Sequence, residues 1–520
     1  MDRQRTIILS DRLDKVSRVL GKTRGIVHWT MLTENTSTRG IASFLRSCPN
    51  IVEIDSSEIF RRKRKVFQKN YIEAMAGLNR MNSSLNWWAL PPSTKDPKYT
   101  RLCWDAAAFL LITEVMESSC ATLIVLTDSN NLRLQVKHWS DSQGIKLKGF
   151  IKRKSLTRTF LKLYTPAPVV RALAVCVYRW IQAPRFQGDP AKHIVIVSQT
   201  YPESFQINKN REYQDVYFGP LLEYLKGSDY QVMVMAIVRG PFRSQNTQLK
   251  RQDQDLPILP FEGFLTITDI IWSASKAIWI NLMGIRISGG LYIEGKDVSR
   301  LMQLEFLSEY RSGNPFISFA FFRACSRLAT KVKMDRCIYP YENRPWEKML
   351  LMAMRNKSRS TKIIGYQHAA INSGFLHFFM GEGEAQITPL PDVLLTTGDF
   401  LSDWLNKDGG YTQGIVQPAC ALRKKTENKV VSKDFTNTTN IKRILIALGF
   451  PDLENYNRVL TIVKDAVGYD KDWEVVIRPH PTNPQSRIDA ERAKDSTGIN
   501  VLAIRSGDLV NELFETDVVV

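Results

Sequence analysis

Short apolar and β-branched runs alternate with longer helical patterns along most of the chain, and this alternation limits the fold more than any other feature. It is typical of βα units, in which a helix connects two parallel strands. Nearly all of the runs are continuously apolar, as expected when helices cover both faces of a sheet. Ten runs are predicted strands: 25–31, 51–55, 122–128, 193–199, 231–238, 336–341, 362–367, 392–398, 443–450 and 473–480. The sequence therefore predicts an α/β fold with parallel sheets.

The length of 520 residues predicts more than one domain. Two segments, 166–192 and 423–442, have the composition of linkers. They divide the chain into an N-terminal α/β region over 1–165, a second region over 190–425 and a third region over 441–520.

Helices are predicted over 345–357, where Pro345 can occupy a first helical position, and over 218–229, where Gly227 is a natural terminator. The last residues, 515–520, have the pattern of a buried strand with nothing after it to complete a βα unit. Because native termini usually lie at the surface, we expect the third domain to be truncated.

The seven cysteines are scattered and form no C-x-x-C pair, so neither a zinc ribbon nor a disulfide framework is indicated. They fit a reducing compartment. The apolar run near the N-terminus has only four residues, too few for a secretory signal. No uncharged apolar stretch reaches the roughly 18 residues of a membrane-spanning helix. We therefore expect a cytoplasmic protein without a transmembrane helix.

The excess of 71 basic over 52 acidic residues gives a net charge of +19 and predicts an anionic partner. The basic run at 61–65 could bind nucleic acid, but no helix-turn-helix, zinc-finger or RNP-type pattern accompanies it. An anionic membrane surface or a diphosphate-linked lipid fits the charge equally well. A solvated basic face is the third interpretation of this run.

The stretch Arg478-Pro479-His480-Pro481 follows the apolar run 474–477. Each proline favours an extended conformation for the residue before it, so Arg478 and His480 are predicted at the carboxyl end of a strand. Open parallel sheets bind their ligands at that edge, and both side chains can donate to a phosphate. The alternative is a strand exit with an exposed polar pair.

Two other strand ends carry candidate catalytic residues. His368, in GYQHAA, is a candidate general base because the ordinary pKa of imidazole lies near neutrality. A hydrogen-bonded core histidine is the alternative, and His377 is a weaker candidate for the same role. Glu342, in YPYENRPWEKM, is predicted where a strand turns into a helix. Its carboxylate could bind sugar hydroxyls, take a proton or stabilise the helix N-terminus.

The loop Gly449-Phe450-Pro451-Asp452 could approach a nucleotide, although it lacks the spacing of a dinucleotide site or a P-loop. No H-E-x-x-H stretch and no cluster of paired carboxylates suggests a metal. We therefore expect neither a metal nor a bound cofactor.

In this order, the stretches YPYENRPWEKML, GYQHAA, PDVLLTTGD and RPHP resemble bacterial surface-carbohydrate biosynthesis proteins from O-antigen and capsule gene clusters. The resemblance covers roughly residues 190–520. It implies a GT-B-like glycosyltransferase with Rossmann-like domains. By this resemblance, 190–425 would be the acceptor domain and 441–520 part of the nucleotide-donor domain.

The stretch RPHP is also similar to the HP motif of GT-B sialyltransferases, capsular Kdo transferases and CDP-glycerol glycerophosphotransferases. That resemblance implies that His480 and Pro481 contact the phosphate or ribose of a cytidine nucleotide, with Arg478 assisting. His368 stands where the phosphotransferases have a catalytic histidine, but Gln367 and Ala369 replace the flanking tryptophan and glycine.

The resemblance implies a metal-independent transferase with a nucleotide-sugar donor, such as a CMP-sugar, and a lipid-linked or polysaccharide acceptor, not nucleic acid. His368 or Glu342 would deprotonate the acceptor hydroxyl, while Arg478 and His480 stabilise the departing phosphate. The basic surface would hold the enzyme at the anionic inner membrane. The alternatives are transfer of a polyol phosphate from a CDP-linked donor and a non-catalytic polysaccharide-assembly protein that retains the fold.

Overall fold

The structure, a computed structural model, divides into two units. The large unit comprises Asp55–Lys425 with Asp2–Ile7, and the small unit comprises Ile8–Ile54 and Thr426–Val520 with Met1. The structure describes residues 5–10, 27–31, 45, 47–48, 51–117, 121–127, 129–145, 147, 167–186, 189–205, 213–226, 230–249, 256–283, 290–422, 442–448, 453–467, 473–479, 484–497, 501–504, 512–513 and 516–520.

The large unit is built on a seven-stranded parallel sheet. Its strands are β1 (Asp189–Thr200), β2 (Gln231–Val238), β3 (Ile258–Pro260), β4 (Val332–Pro340), β5 (Lys362–Tyr366), β6 (Val393–Thr396) and β7 (Val416–Pro418). Their order across the sheet is β7-β6-β5-β4-β1-β2-β3. The neighbouring strands pair in parallel throughout. This sheet confirms the predicted α/β class.

Helices surround this sheet because its strands have apolar side chains on both faces. Along β2, for example, every residue from Val232 to Val238 is buried. The helices of the large unit are Ser56–Asn82, Leu85–Trp88, Leu102–Glu117, Asn130–Ser142, Ala167–Gln182, Leu221–Lys226, Phe242–Leu249, Ile267–Met283, Ser299–Tyr310, Asn314–Lys331, Pro345–Lys357 and Asp399–Asp408. Short 3₁₀ turns lie at Pro91–Thr94, Pro202–Phe205, Phe261–Phe264 and Leu376–Phe378, and further short strands at Ala121–Leu126, Tyr292–Ile293 and Lys296–Asp297.

The small unit contains a four-stranded parallel sheet with Lys442–Ile446 between Trp473–Ile477 and Val518–Val519, and Val501–Ile504 at its edge. Helices Leu453–Val467 and Pro484–Thr497 pack on it, with Tyr456, Leu460 and Ala490 in the core. In the same unit Val27–Met31 pairs in parallel with Ile51–Glu53. The remaining described strand is Arg5–Ser10.

All ten predicted strands are present, although most differ from the prediction by a few residues at one or both ends. The predicted helix over 345–357 has the same bounds in the structure, with Pro345 in its first turn. The helix predicted over 218–229 is shorter, Leu221–Lys226, and residues 227–229 lie outside the described part of the chain.

The predicted linker at 166–192 is wrong, because helix Ala167–Gln182 fills most of it. The helix forms where its buried side, with Val169 and Cys176, meets neighbouring helices. The predicted linker at 423–442 lies, up to residue 441, outside the described residues. The terminal strand exists as predicted, but Val518 and Val519 are exposed rather than buried.

The predicted boundary near residue 165 does not coincide with the division into units, since residues 55–425 belong to one unit. Helix Ser56–Asn82 contacts a loop far along the chain: Asn79 donates through Nδ2 to Glu384 at 2.6 Å. Lys95 forms a buried ion pair with the same carboxylate. These contacts fix the segment 79–95 to the sheet-bearing part of the large unit.

Candidate functional site

The strand order of the seven-stranded sheet reverses between β1 and β4. From β1 the chain adds β2 and β3 on one side, and from β4 it adds β5, β6 and β7 on the other. The two central strands are paired in register, with Cys337 beside Val195 and Ile338 beside Ile196. Open parallel sheets bind ligands outside the carboxyl ends of the strands at such a switch point. A ligand site is therefore expected at the residues that follow β1 and β4.

Polar side chains follow five of the strands at this edge. Tyr201 comes after β1, Arg239 after β2, Glu342 after β4, His368 after β5 and Thr397 after β6. Because all of these strands are parallel, the five residues belong to one edge of one sheet.

The structure brings the two predicted catalytic candidates together. The Nε2 atom of His368 lies 3.8 Å from Oε1 of Glu342. The His368 side chain is 5% exposed and that of Glu342 is 24% exposed, so the carboxylate is the more accessible of the two. The ring of Tyr217 meets the imidazole edge to face, with 4.5 Å between the ring centres. The separation is too long for a hydrogen bond, but the carboxylate is close enough to stabilise a protonated imidazole.

A buried carboxylate fixes the loop that carries Glu342. Glu347, in the first turn of helix Pro345–Lys357, accepts the backbone N–H of Glu342 at 3.1 Å and that of Asn343 at 2.9 Å. Asn343 has a positive φ of 54°, a conformation that asparagine tolerates better than most residues. Burial raises the pKa of Glu347 well above its ordinary value. The sequence signal for this interaction is a glutamate two residues after the proline of the first helical turn.

Arg344 connects Glu342 to a second group of residues. Its Nε donates to Oε2 of Glu342 at 2.9 Å, and its Nη1 lies 3.3 Å from Oδ2 of Asp96. The guanidinium also stacks 3.8 Å from the centre of the Tyr99 ring. His377, the weaker sequence candidate, lies beside Asp96 with 3.6 Å between Nδ1 and Oδ1.

The structure therefore assigns the two histidines different neighbours. Burial lowers the pKa of His377 well below its ordinary value, which favours the neutral imidazole. Burial also raises the pKa of Asp96. His377 is part of the support behind Arg344, whereas His368 is the histidine beside Glu342.

Tyrosine and glutamine side chains extend the polar group from His368 towards β2. The hydroxyls of Tyr217 and Tyr201 are 3.0 Å apart, and the Tyr201 hydroxyl donates to Oε1 of Gln199 at 2.9 Å. The exposed Arg239 donates through Nε to the same Gln199 oxygen at 2.9 Å. Burial raises the pKa of Tyr217, so its phenol stays neutral. An anionic ligand at this edge would meet the exposed Arg239, whereas Arg344 is already paired with the carboxylates of Glu342 and Asp96.

Gln367, beside His368, is fully buried. Its Oε1 lies 3.5 Å from both the backbone N and the hydroxyl of Thr397. Its Nε2 has no hydrogen-bond partner within the described ranges of the chain. A buried amide donor in this state is unusual, because leaving such a group unpaired costs free energy.

A cavity of about 390 Å³ lies next to Tyr99 in the large unit. Its wall is mostly polar and is formed by 97–101, 129–131, Glu305, Ser308 and Glu309. Glu305 accepts the backbone N–H of Arg101 at 3.1 Å and the side-chain amide of Asn131 at 3.0 Å. Burial raises the pKa of Glu305 to about 7. Since Tyr99 also contacts Arg344, the cavity adjoins the residues around Glu342.

The predicted donor-site residues lie in the small unit. Arg478 follows strand Trp473–Ile477, as predicted, and its Nη1 lies 2.8 Å from Oε2 of the buried Glu512. This pairing already balances its charge. His480 and Pro481 lie outside the described residues, as do 449–452. The phosphate-binding role of the RPHP stretch stays a prediction.

The basic run at 61–65 belongs to helix Ser56–Asn82. Three of its residues pair with carboxylates: Arg61 with Glu58, and Arg62 and Lys63 with Glu114. These pairs leave less positive charge for an external partner than the sequence suggests.

Comparison with known proteins gives weak similarity to solved structures only. A glycosyltransferase from Rickettsia africae covers 63% of this chain and 72% of its own, with a TM-score of 0.33 and 9% identity. The UDP-GlcNAc 2-epimerase from Neisseria meningitidis bound to UDP-GlcNAc covers 63% and 76%, with a TM-score of 0.33 and 12% identity. The S. aureus MnaA–UDP complex covers 62% and 71%, with a TM-score of 0.31 and 13% identity. No family model matches the chain, and no curated protein sequence matches it.

Proposed function

We propose that the chain is a GT-B-type glycosyltransferase of bacterial surface polysaccharide biosynthesis, acting in O-antigen or capsule assembly. The observation that carries this proposal is the 3.8 Å approach of His368 to Glu342 at the switch point of the parallel sheet. Both residues also stand in the stretches that resemble surface-carbohydrate biosynthesis proteins.

In the proposed reaction His368 accepts the proton of an acceptor hydroxyl through Nε2. The acceptor oxygen attacks the anomeric carbon of the donor sugar, and the bond from that carbon to the nucleotide phosphate breaks. Glu342 stabilises the imidazolium that forms, because an opposite charge nearby favours the protonated ring. The nucleotide leaves as a phosphate anion.

The donor is a nucleotide sugar, and CMP-sugars are the first candidates because RPHP resembles the motif of cytidine-nucleotide enzymes. The acceptor is a lipid-linked or polysaccharide hydroxyl. A lipid-linked acceptor would place the enzyme at the cytoplasmic side of the inner membrane, where the net charge of +19 favours contact with anionic lipid.

The test is a transfer assay on the purified full chain with CMP-, UDP- and GDP-sugars and with CDP-glycerol as donors. We expect His368→Ala and Glu342→Gln to lower kcat by about 10² to 10⁴-fold, the usual contribution of a positioned general base. His138→Ala and Glu223→Gln are matched controls, because both residues are exposed and lie on helices rather than in the loops after β4 and β5. Wild-type rates in both His368→Ala and Glu342→Gln would refute the proposed base.

The donor panel also separates the alternatives. Turnover with CDP-glycerol alone would identify a polyol phosphotransferase. A chain that binds nucleotide but turns over no donor, and whose polymer synthesis in cells survives both substitutions, would be a non-catalytic assembly protein.

A further inference from the structure

Helix Ile267–Met283 presents an apolar side to solvent. Its large exposed residues recur at helical spacing and so lie on one side of the helix. They are Ile267, Ile271, Ile278, Trp279 and Leu282, with exposed fractions of 52, 58, 45, 51 and 80%. The opposite side is buried, through residues such as Ile270, Ala277 and Ile280.

Helix Ala167–Gln182 presents a second apolar side. Its exposed large residues are Val170, Val175, Tyr178 and Ile181, with exposed fractions of 55, 44, 46 and 63%. The two helices contact each other, and both pack on helix Asn314–Lys331. The indole Nε1 of Trp180 donates to the carbonyl of Leu265 at 2.9 Å, which fixes one helix against the start of the other. We call the exposed large residues of both helices the apolar face.

The charged side chains that these two helices present at the surface are all positive. Their single carboxylate, Asp269, is fully buried and is paired with Arg323 at 2.6 Å and Arg327 at 3.0 Å. Arg171 is exposed in the second turn of helix Ala167–Gln182. Lys276 lies 5.3 Å from the ring centre of Trp279. The apolar face therefore has cations beside it and exposes no carboxylate of its own helices.

We propose that the apolar face docks on an anionic lipid bilayer, with the two helices lying in the plane of the interface. Amphipathic helices with apolar side chains, tryptophan or tyrosine on one face and basic residues beside it bind in this way. Tryptophan and tyrosine prefer the headgroup level of a membrane. Among the described residues no helix is long and apolar enough to cross a bilayer.

Lipid fits this face better than a second copy of the chain does. A self-complementary contact would bring Arg171 and Lys276 of two copies towards each other, and like charges at an interface oppose association. Anionic headgroups match the same cations. The docking surface specifies the membrane contact included in the proposed function, but it does not depend on the transfer chemistry.

The experiment is co-sedimentation of the full chain with vesicles of phosphatidylcholine alone and of phosphatidylcholine with phosphatidylglycerol. We expect binding to the anionic vesicles, weakened by salt. The double substitution Trp279→Ser/Leu282→Ser should lower vesicle affinity at least tenfold, because it removes two exposed apolar groups. Arg171→Gln/Lys276→Gln should weaken binding to the anionic vesicles selectively. Tyr224→Ser is the control, since Tyr224 is 80% exposed on a helix outside the apolar face.

Thermal melting of each variant should be unchanged, because the substituted apolar residues are at least half exposed. Wild-type vesicle affinity in Trp279→Ser/Leu282→Ser would overturn the proposal. So would concentration-dependent dimerisation that this variant abolishes, since the face would then bind a second copy. Failure of vesicle binding with intact transfer to a water-soluble acceptor would remove the docking surface and leave the proposed function standing.

Discussion

The carboxyl group of Glu347 accepts the backbone N–H of Glu342 at 3.1 Å. The buried Glu347, on a helix, thereby fixes the loop that carries the more accessible carboxylate of Glu342. Glu347 also accepts the N–H of Asn343 at 2.9 Å. Both donors lie between strand β4 and the helix, where no other secondary structure would satisfy them. Glu347 is therefore a positioning residue for Glu342.

The effect of substituting Glu347 on the free energy of unfolding should depend on the shape of the new side chain. Burial raises the pKa of Glu347, and a carboxamide has the shape of the carboxyl group and keeps one oxygen that can accept the N–H groups of both Glu342 and Asn343, as Oε2 does. We expect Glu347→Gln to change the free energy of unfolding by less than about 1 kcal/mol, whereas Glu347→Leu should lose roughly 2–4 kcal/mol by leaving buried N–H groups unpaired. Urea unfolding of both variants measures this. Equal losses in the two would show that the charged form is required.

Asn343 should be replaceable by glycine at lower cost than by alanine. Its φ of 54° disfavours a Cβ, and its side-chain amide donates to the carbonyl of His377 at 2.6 Å. Both substitutions lose the hydrogen bond, but only alanine adds the left-handed strain of about 1–2 kcal/mol. We expect Asn343→Ala to be less stable than Asn343→Gly by about that amount in urea unfolding. Equal stabilities would mean that the loop relaxes into another conformation.

The sequence predicted the strands well because each is a continuous apolar run, and it predicted Glu342 and His368 because each follows such a run. It could not predict that the two approach each other. Their approach depends on β4 lying beside β5 with Pro340 opposite Tyr366, and that pairing is a property of the sheet order. A sequence pattern specifies where strands end but not which ends are neighbours.

Other parts of the site had no sequence signal. Tyr99 and Asp96 lie in a loop without a motif, and only the packing of residues 79–95 against Glu384 brings that loop to Arg344. The linker prediction at 166–192 failed for a related reason. The stretches PAPVV and QGDPAK at its two ends have the composition of linkers, yet the residues between them are helical where neighbouring helices bury one side.

Replacing only one partner of the buried Lys95–Glu384 ion pair should lower the free energy of unfolding more than replacing both partners. The two side chains are 0% and 1% exposed, and Glu384 also accepts from Asn79 at 2.6 Å. We expect Lys95→Met to lower the free energy of unfolding by roughly 3–5 kcal/mol, because it leaves an uncompensated buried charge. The double variant Lys95→Met/Glu384→Gln should recover part of that loss. A double variant no more stable than Lys95→Met would contradict this explanation.

Lys348 should make stability depend on pH in the alkaline range. Burial lowers its pKa to about 7, with its ammonium 4.3 Å from the ring centre of Trp88. Between pH 7 and the ordinary lysine value the unfolded chain binds a proton that the folded chain does not. The contribution of Lys348 to the free energy of unfolding therefore rises with pH, by at most about 1.4 kcal/mol per pH unit.

We expect Lys348→Met to remove that slope. Between pH 7.5 and pH 9.5 the free energy of unfolding of the wild type should therefore rise by roughly 2 kcal/mol more than that of the variant. Lys357→Met is the matched control, because Lys357 is exposed on the same helix. Urea unfolding at several pH values gives both slopes. Parallel pH profiles of wild type and Lys348→Met would show that Lys348 keeps an ordinary pKa.

The cavity beside Tyr99 should bind the acceptor if the proposed transfer is correct. Tyr99 is 52% exposed and offers an aromatic surface, and the amide of Asn131 and the carboxyl of Glu305 are hydrogen-bonding groups suited to hydroxyls. We expect Tyr99→Ala to raise the acceptor KM about tenfold with little change in the donor KM, since one aromatic contact contributes about 1 kcal/mol or more. Tyr224→Ala is the control at an exposed tyrosine away from the cavity. An unchanged acceptor KM with a lowered kcat would instead place Tyr99 in the support of Arg344, which its ring contacts at 3.8 Å.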